Sequence, residues 1–428
     1  MKLYDFQEEG RSFIEKHKYV LLGDEMGLGK TIQALAALRG KTGPALIVCP
    51  AFLRKTWSNE IDKILVAWKD FDLEPVIVTQ VGDFDKPMFD EDSVYIISYE
   101  MLKKIPETFY PEHIIFDEAH YLKNMKATRT ALAHSLIAKT LPETLILLSG
   151  TPIKNRVPEF YSILRLLSYC PSKTNGIRIP EKSQYAFNIK FTNPTTRTIM
   201  VKHTAREITE FHGVRNTELL KKYLQKKYIR RLAKSVLELP PLITKEVQFG
   251  ERLARDKDYI KAYQEYEETG VLTTLKMELA ISKVKYTCSY ACDLLEQGEP
   301  LVIFSDHIQP VEDIASYLKG KGYKVGAITG KTPTSKRDDV VVSFQNGDLN
   351  VLVATIGSAS VGYTLTRARN LIFNDYSWVP SDMEQARKRI HRIGQTNHSV
   401  IHMVLGSKVD TYILKTIEGK MRTMKKVL

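Results

Sequence analysis

YVLLGDEMGLGKT, Tyr19–Thr31, sets a run of apolar residues directly before a glycine-bearing loop, and the residues after it return to helical spacing. Four apolar residues closed by a glycine fit a strand buried on both faces, so the order is strand, loop, helix. Glycines at 27 and 29 let backbone N–H groups of the loop, Leu28 included, approach a phosphate, and a following helix start adds partial positive charge. In that setting Lys30 would reach the outer phosphates of a nucleotide and Thr31 would bind Mg²⁺. The strict pattern G-x4-GK[ST] fails at its first position, where Asp24 stands. A bare GKT recurs by chance, so its place between strand and helix carries the reading.

Working outward, similar runs follow at 45–49 (ALIVC), 94–98 (VYIIS), 113–117 (HIIFD) and 145–149 (LILLS), with helical periodicity between them. Such alternation predicts a parallel α/β sheet. From about 155 to 290 the chain reads as mostly helical and strongly charged. The alternation resumes at 301–304, 324–328, 351–354, 370–373 and 400–405. The expected architecture is two α/β blocks in tandem with helical protrusions between them. The first spans 1–240 and includes a protrusion at about 155–238. The second spans 241–428, with a helical insert at about 250–298 and a closing basic helix at about 408–428. LPPL, 239–242, is the linker candidate, because paired prolines cannot continue a helix.

The 428 residues suffice for two domains, and 43% hydrophobic with 26% charged residues suits a globular protein. No apolar run approaches the eighteen or so residues of a membrane span. The mixed-charge start resembles neither a signal nor a transit peptide, which leads to a cytoplasmic, nucleoid-associated expectation. Net charge of +12 favours a polyanionic partner. The four cysteines lack zinc-site spacing and read as free thiols.

Two further strand ends carry chemistry. IIFDEAH, 114–120, places Asp117 where a hard oxygen ligand could hold Mg²⁺, and Glu118 where a carboxylate could deprotonate an attacking water. LLSGTP, 147–152, ends in small hydroxyl residues, and Ser149 and Thr151 could relay a signal away from the nucleotide.

Two basic segments raise a choice between nucleic-acid contact, a solvated face and arms for a phosphate. KKYLQKKYIRRLAK, 221–234, holds seven basic residues and no acid. On a helix Lys222, Lys226 and Arg230 would form one cationic row, with Lys227 and Arg231 beside it. In QARKRIHRIGQ, 385–395, a helix would align Gln385, Arg389 and Arg392 on one stripe, with Ala386, Ile390 and Ile393 docking on the sheet. Arginines so anchored suit a γ-phosphate across a cleft.

In order, GDEMGLGKTIQ, DEAH, LSGTPIKN and QARKRIHRIGQ resemble the signature motifs of helicase superfamily two and, within it, the Swi/Snf family of DNA translocases. The likeness runs nearly end to end, from LYDFQEEG at 3–10 to the closing helix. It implies two RecA-like lobes using ATP and Mg²⁺, with Gln7 reading adenine. It assigns Arg389 and Arg392 to the γ-phosphate and gives Gln385 a supporting role. VCPAFLRKTW and ISYEML resemble first-lobe DNA motifs, which implicates Pro50, Lys55, Trp57, Ser98 and Tyr99. ITGKT and ATIGSASVGYTLTRARNLI resemble second-lobe motifs, which implicates Gly330, Lys331, Thr332 and Thr355 in DNA contact. Gly150 and Gly362 join Ser149 and Thr151 as coupling residues.

Departures at Val379-Pro380 and at Ser358, Ala359 and Tyr363 lean toward the compact, divergent branch that includes annealing helicases and many bacterial and phage proteins. The expected activity is DNA-dependent ATP hydrolysis with translocation on double-stranded or branched DNA by a monomer. Remodelling, annealing or protein displacement is expected rather than unwinding, because no wedge element is recognisable. An RNA helicase (DEAH also names an RNA-directed group) and an ATP-gated DNA clamp with little hydrolysis remain as alternatives.

Overall fold

A computed structural model describes residues 2–68, 74–80, 83, 93–171, 179, 181–201, 204–249, 256–359 and 363–427. The described chain divides into two units, residues 1–236 with 420–428, and residues 237–419.

The first unit is built on β1 (Tyr19–Leu22), β2 (Ala45–Cys49), β3 (Glu74–Ile77), β4 (Ser93–Ser98), β5 (His113–Phe116) and β6 (Thr144–Leu148). Every residue of β1, β2, β4, β5 and β6 is buried. The reason is visible in the period-two alternation of faces. Leu21, Val48, Ile114 and Leu147 join one apolar cluster, while Val20, Ile47, Ile115 and Ile146 join the other. Helices cover both faces, so the strands read as continuous apolar runs rather than alternating ones.

The expected protrusion at 155–238 is only partly helical. β7 (Asn193–Val201) and β8 (Thr204–His212) form an antiparallel hairpin that is a sheet of its own. The basic run 221–234 is not one helix either. A helix covers Thr217–Leu224, Lys226 turns the chain at φ 69°, and β9 (Tyr228–Ile229) lies parallel to β1. Leu21, Gly23 and Glu25 donate backbone hydrogen bonds to the carbonyls of Lys227, Ile229 and Arg231. The open edge of β1 needs those acceptors, and satisfying a buried edge outweighs local helix periodicity. Gly23 admits the close approach, since a Cβ there would lie 2.2 Å from the Tyr228 ring. The completed sheet runs β3-β4-β2-β5-β6-β1-β9.

The second unit holds β10 (Leu242–Gln248), β11 (Leu301–Ser305), β12 (Val325–Ile328), β13 (Val351–Thr355), β14 (Asn370–Phe373) and β15 (Ser399–Leu405). They form an all-parallel sheet in the order β10-β15-β14-β11-β13-β12. The insert is helical, over Lys257–Thr269, Leu272–Ser282 and Val284–Leu295. The closing helix covers Lys408–Lys425, and its end falls with the first unit, where Val427 joins the apolar core. Two parallel α/β units in tandem are the expected fold class, the RecA-like pair. No helix among the described residues is long and apolar enough to cross a membrane.

Candidate active site

The loop after β1 carries Gly27 at φ 86° and Gly29 at φ 72°, both left-handed. A Cβ at Gly29 would lie 2.6 Å from Nε2 of Gln7. Gln7 is buried and works on the loop itself: Oε1 accepts from Tyr4 N at 3.1 Å, and Nε2 donates to Leu28 O at 3.3 Å. One amide hydrogen and one lone pair remain for a base. Lys30 opens the helix Lys30–Ala36, its amine donating to Asp24 O at 2.9 Å, and Thr31 follows half-buried.

The departure from the strict phosphate-loop pattern now has a physical cause. Asp24 is fully buried, and its carboxylate accepts from Arg231 Nη2 at 2.6 Å, Arg231 Nε at 3.1 Å, Arg231 N at 2.9 Å and Gln33 Nε2 at 3.1 Å. The residue that replaces glycine clamps β9 and its continuation onto the loop. Arg231, expected to contact DNA, is the other half of this clamp.

At the end of β5, Glu118 adopts a left-handed conformation (φ 49°, ψ 50°) that costs a side-chain-bearing residue about 1–3 kcal/mol. Its N–H donates to Asp117 Oδ1 at 2.8 Å. Burial, and then the charge of Glu118, push the Asp117 carboxyl above the ordinary range. His120, which the sequence reading passed over, is buried with Nδ1 3.1 Å from Glu118 Oε2 and 3.4 Å from Ser149 Oγ. Ser149 Oγ in turn accepts from Thr151 N at 3.2 Å, and Gly150 packs against Met26 and Lys30 of the loop. The expected base and the expected coupling residues of this unit therefore lie against the same imidazole nitrogen, whose hydrogen bond goes to Ser149. The fourth letter of DEAH was the available signal. Thr151 Oγ1 is buried without a hydrogen-bond partner among the described residues, as suits a group awaiting a ligand.

Several expected DNA contacts are instead internal. Pro50, Ser98 and Thr355 are buried, and Trp57 and Tyr99 are each 1% exposed. The Trp57 indole donates to Asp117 Oδ2 at 2.8 Å, while the Tyr99 hydroxyl donates to Asp117 O at 2.7 Å and its ring stacks on Tyr121. Side chains so enclosed cannot also lie on DNA. Of the two cations expected beside the row, Arg231 is the clamp and Lys227 is fully buried, donating to His17 O at 3.3 Å, and burial lowers its pKa. Lys55, Lys222 and Lys226 are exposed and Arg230 is half-buried. Of the aromatic residues at 185–191, Phe187 and Phe191 are core and Tyr185 is exposed.

In the second unit Gly330 and Lys331 are exposed and Thr332 is half-buried. Thr355 donates to Ser358 Oγ at 2.8 Å, and Ser358 donates to Ile328 O at 3.1 Å, so the departure at 358 ties β13 to β12. Gly362 lies outside the described residues. The expected helix through QARKRIHRIGQ is corrected: it covers Pro380–Arg387 and then gives way to turns. Gln385 and Ile390 are buried, but Ile393 is 39% exposed, so the apolar stripe does not continue. Arg389 and Arg392 still converge, each Nη1 donating to Tyr363 O, at 3.3 and 3.4 Å. Gln395 holds the turns, its amide donating to the carbonyls of Thr366, Ala368 and Ile390, while His391 Nε2 donates to Pro240 O at 2.7 Å.

The SNF2-related domain model matches residues 10–295, and the helicase conserved C-terminal domain model matches residues 282–394. The chain is 30% identical over 448 residues to the SWI/SNF-related matrix-associated actin-dependent regulator of chromatin subfamily A-like protein 1 of Xenopus tropicalis, covering 99% of this chain and 44% of that protein. It is 27% identical to the DNA annealing helicase and endonuclease ZRANB3 of Bos taurus, covering 98% of this chain and 40% of that protein. The chain thus spans less than half the length of these relatives. Among solved structures it is similar to the Sulfolobus solfataricus SWI2/SNF2 ATPase core in complex with dsDNA, at 21% identity and a TM-score of 0.46, covering 100% of this chain and 93% of that one. On the family match across residues 10–295, the chain belongs to the SNF2-related, helicase-like ATPases.

Proposed function

We propose that this chain is a DNA-dependent ATPase that translocates on double-stranded DNA, remodelling or annealing branched structures or displacing bound proteins. The observation that carries this reading is the meeting of Lys30, Asp117, Glu118, His120 and Ser149 at the carboxyl ends of β1, β5 and β6. Lys30 would hold the outer phosphates, and the oxygens of Thr31 and Asp117 suit a hard cation. Mg²⁺ bound there would supply neutralising charge to the phosphates. Glu118, held in its strained conformation, would take the proton from the attacking water. His120 would pass the state of that carboxylate to Ser149. For Arg389 and Arg392 we retain the charge-stabilising role that their motif implies.

DNA as the track is supported by relatives named for DNA annealing and by exposed cations at Lys55, Lys222, Lys226 and Lys331. Phosphate contacts of this kind ignore sequence and weaken steeply with salt. A triplex-displacement assay tests the reading. ATP-dependent release of a third strand from a duplex, lost in Glu118→Gln, is the expected outcome. ATP hydrolysis without release would overturn translocation. One observation favours a second reading, strand separation. Among the described residues the hairpin β7–β8 pairs only with itself, and most of its described side chains are exposed. If ATP-driven displacement of one strand from a forked duplex required this hairpin, the expectation of remodelling without unwinding would be wrong.

A further inference from the structure

Trp57 lies in the first turn of the helix Arg54–Ala67, which follows β2. β2 is the hydrogen-bonded neighbour of β5, so this first turn reaches the strand end that carries Asp117. The ring is buried in the apolar cluster of that sheet face, and its only polar atom points out of the cluster at Asp117 Oδ2, 2.8 Å away. Buried indole N–H groups need an acceptor, and any backbone carbonyl would serve. Here the acceptor is the carboxylate whose place at the strand end marks it for a metal.

The two oxygens of Asp117 are divided between two donors. Glu118 N holds Oδ1 at 2.8 Å and Trp57 Nε1 holds Oδ2 at 2.8 Å. The backbone below is pinned as well, since Asp117 N donates to Val48 O at 2.8 Å and Asp117 O accepts the Tyr99 hydroxyl at 2.7 Å. A carboxylate offers about four acceptor sites, so one donor on each oxygen fixes the group and leaves acceptor capacity on both.

We propose that Trp57 is a positioning residue for the metal-binding carboxylate: its indole N–H and the Glu118 N–H hold Asp117 in one orientation, ready for a divalent cation. The inference rests on the reading of Asp117 as a Mg²⁺ ligand for nucleotide binding. It replaces the DNA-contact role that the motif around Trp57 implied. Outer partners of this kind orient metal ligands, and losing one typically costs about 10- to 100-fold in metal affinity or activity.

The test compares the wild-type chain with Trp57→Phe and with a chain carrying 3-benzothienylalanine at 57, which keeps the bicyclic shape and lacks only the N–H. Binding of a fluorescent ADP is titrated with Mg²⁺, and without it in EDTA. Affinity for a labelled duplex is measured without nucleotide. The expected result is that both variants need about 10- to 100-fold more Mg²⁺ for half-maximal effect, while Mg²⁺-free nucleotide affinity and duplex affinity hold within about twofold. High Mg²⁺ then restores the hydrolysis rate. An unchanged Mg²⁺ requirement in the benzothienyl chain overturns the proposal, even if Trp57→Phe fails to fold. A selective loss of duplex affinity overturns it in favour of DNA contact. If the wild-type chain binds nucleotide with no Mg²⁺ dependence, the underlying reading of Asp117 as a Mg²⁺ ligand falls and takes the inference with it.

Discussion

Replacing Arg231 by alanine should destabilise the first unit by about 3–5 kcal/mol, the range for removing one partner of a buried ion pair. The structure supplies the reason. The Asp24 side chain is 0% exposed and that of Arg231 is 10% exposed. Two of the four donors to Asp24 are N–H groups of the one Arg231 guanidinium, and their loss leaves a buried carboxylate held, among the described residues, by Gln33 and the backbone N–H of residue 231. Arg231 also donates to Phe6 O and to Gln33 Oε1, so the clamp extends to the first helix. Against a total stability of about 5–15 kcal/mol, the loss is a large fraction. Asp24→Gly, which restores the strict phosphate-loop glycine, should destabilise rather than improve the protein, because it removes the buried carboxylate and leaves the guanidinium only the exposed Glu9 as a charged partner. Asp24→Asn combined with Arg231→Met should recover at least half of the single-variant loss, since no uncompensated charge remains. Urea unfolding followed by tryptophan fluorescence in a Trp378→Phe background reads the first unit alone, through Trp57 and Trp68. A cost for Arg231→Ala below about 1 kcal/mol, with weakened duplex binding, would refute the clamp and return Arg231 to the DNA surface.

Other outcomes follow from the same geometry. Glu118→Gln should lower the hydrolysis rate by about 10²- to 10⁴-fold while ATP still binds, as single-turnover and equilibrium-binding measurements would show; a near-wild-type rate would remove Glu118 as the base. Gly29→Ala forces a left-handed residue against Gln7 and should weaken nucleotide binding without changing duplex affinity. Burial holds His134 and His402 down to about 4, and the partners of His402 match a neutral ring: Tyr290 OH donates to Nδ1 at 2.9 Å and Nε2 donates to Asn370 Oδ1 at 3.0 Å. The unfolded chain protonates these rings near pH 6.5, so it binds more protons than the fold between about 6.5 and 4. Stability should therefore drop as pH falls through that window, by on the order of 3 kcal/mol per histidine, and stay flat with respect to these groups above it. In His402→Gln the slope of the urea midpoint against pH should shrink in the second unit; an unchanged slope would exclude His402 as its source.

What the sequence made legible depends on how locally each feature is encoded. Strands covered on both faces announce themselves as apolar runs, which is why β1, β2, β4, β5 and β6 were readable. β3 (EPVI) and β10 (LITKEVQ) are edge strands with exposed positions, and β9 has two residues, so none carries such a run. Lys30, Asp117 and Glu118 were legible because their chemistry sits at strand ends within single motifs. The Asp24–Arg231 clamp joins residues 207 positions apart, and the Trp57–Asp117 bond joins residues 60 apart. No local pattern announces either. The arginine stripe failed for another reason: a periodicity argument assumes that the helix persists. The Leu365 N–H to Arg389 carbonyl bond and the Gln395 amide hold that segment in turns instead.

The most direct test of the account is the steady-state ATP hydrolysis rate of the wild-type chain with duplex DNA, branched DNA, single-stranded DNA, RNA or no nucleic acid, with Glu118→Gln as the blank. Stimulation by duplex or branched DNA that RNA does not match, and that falls steeply with salt, is the predicted result. Stimulation by RNA alone, or hydrolysis indifferent to every nucleic acid, would contradict it.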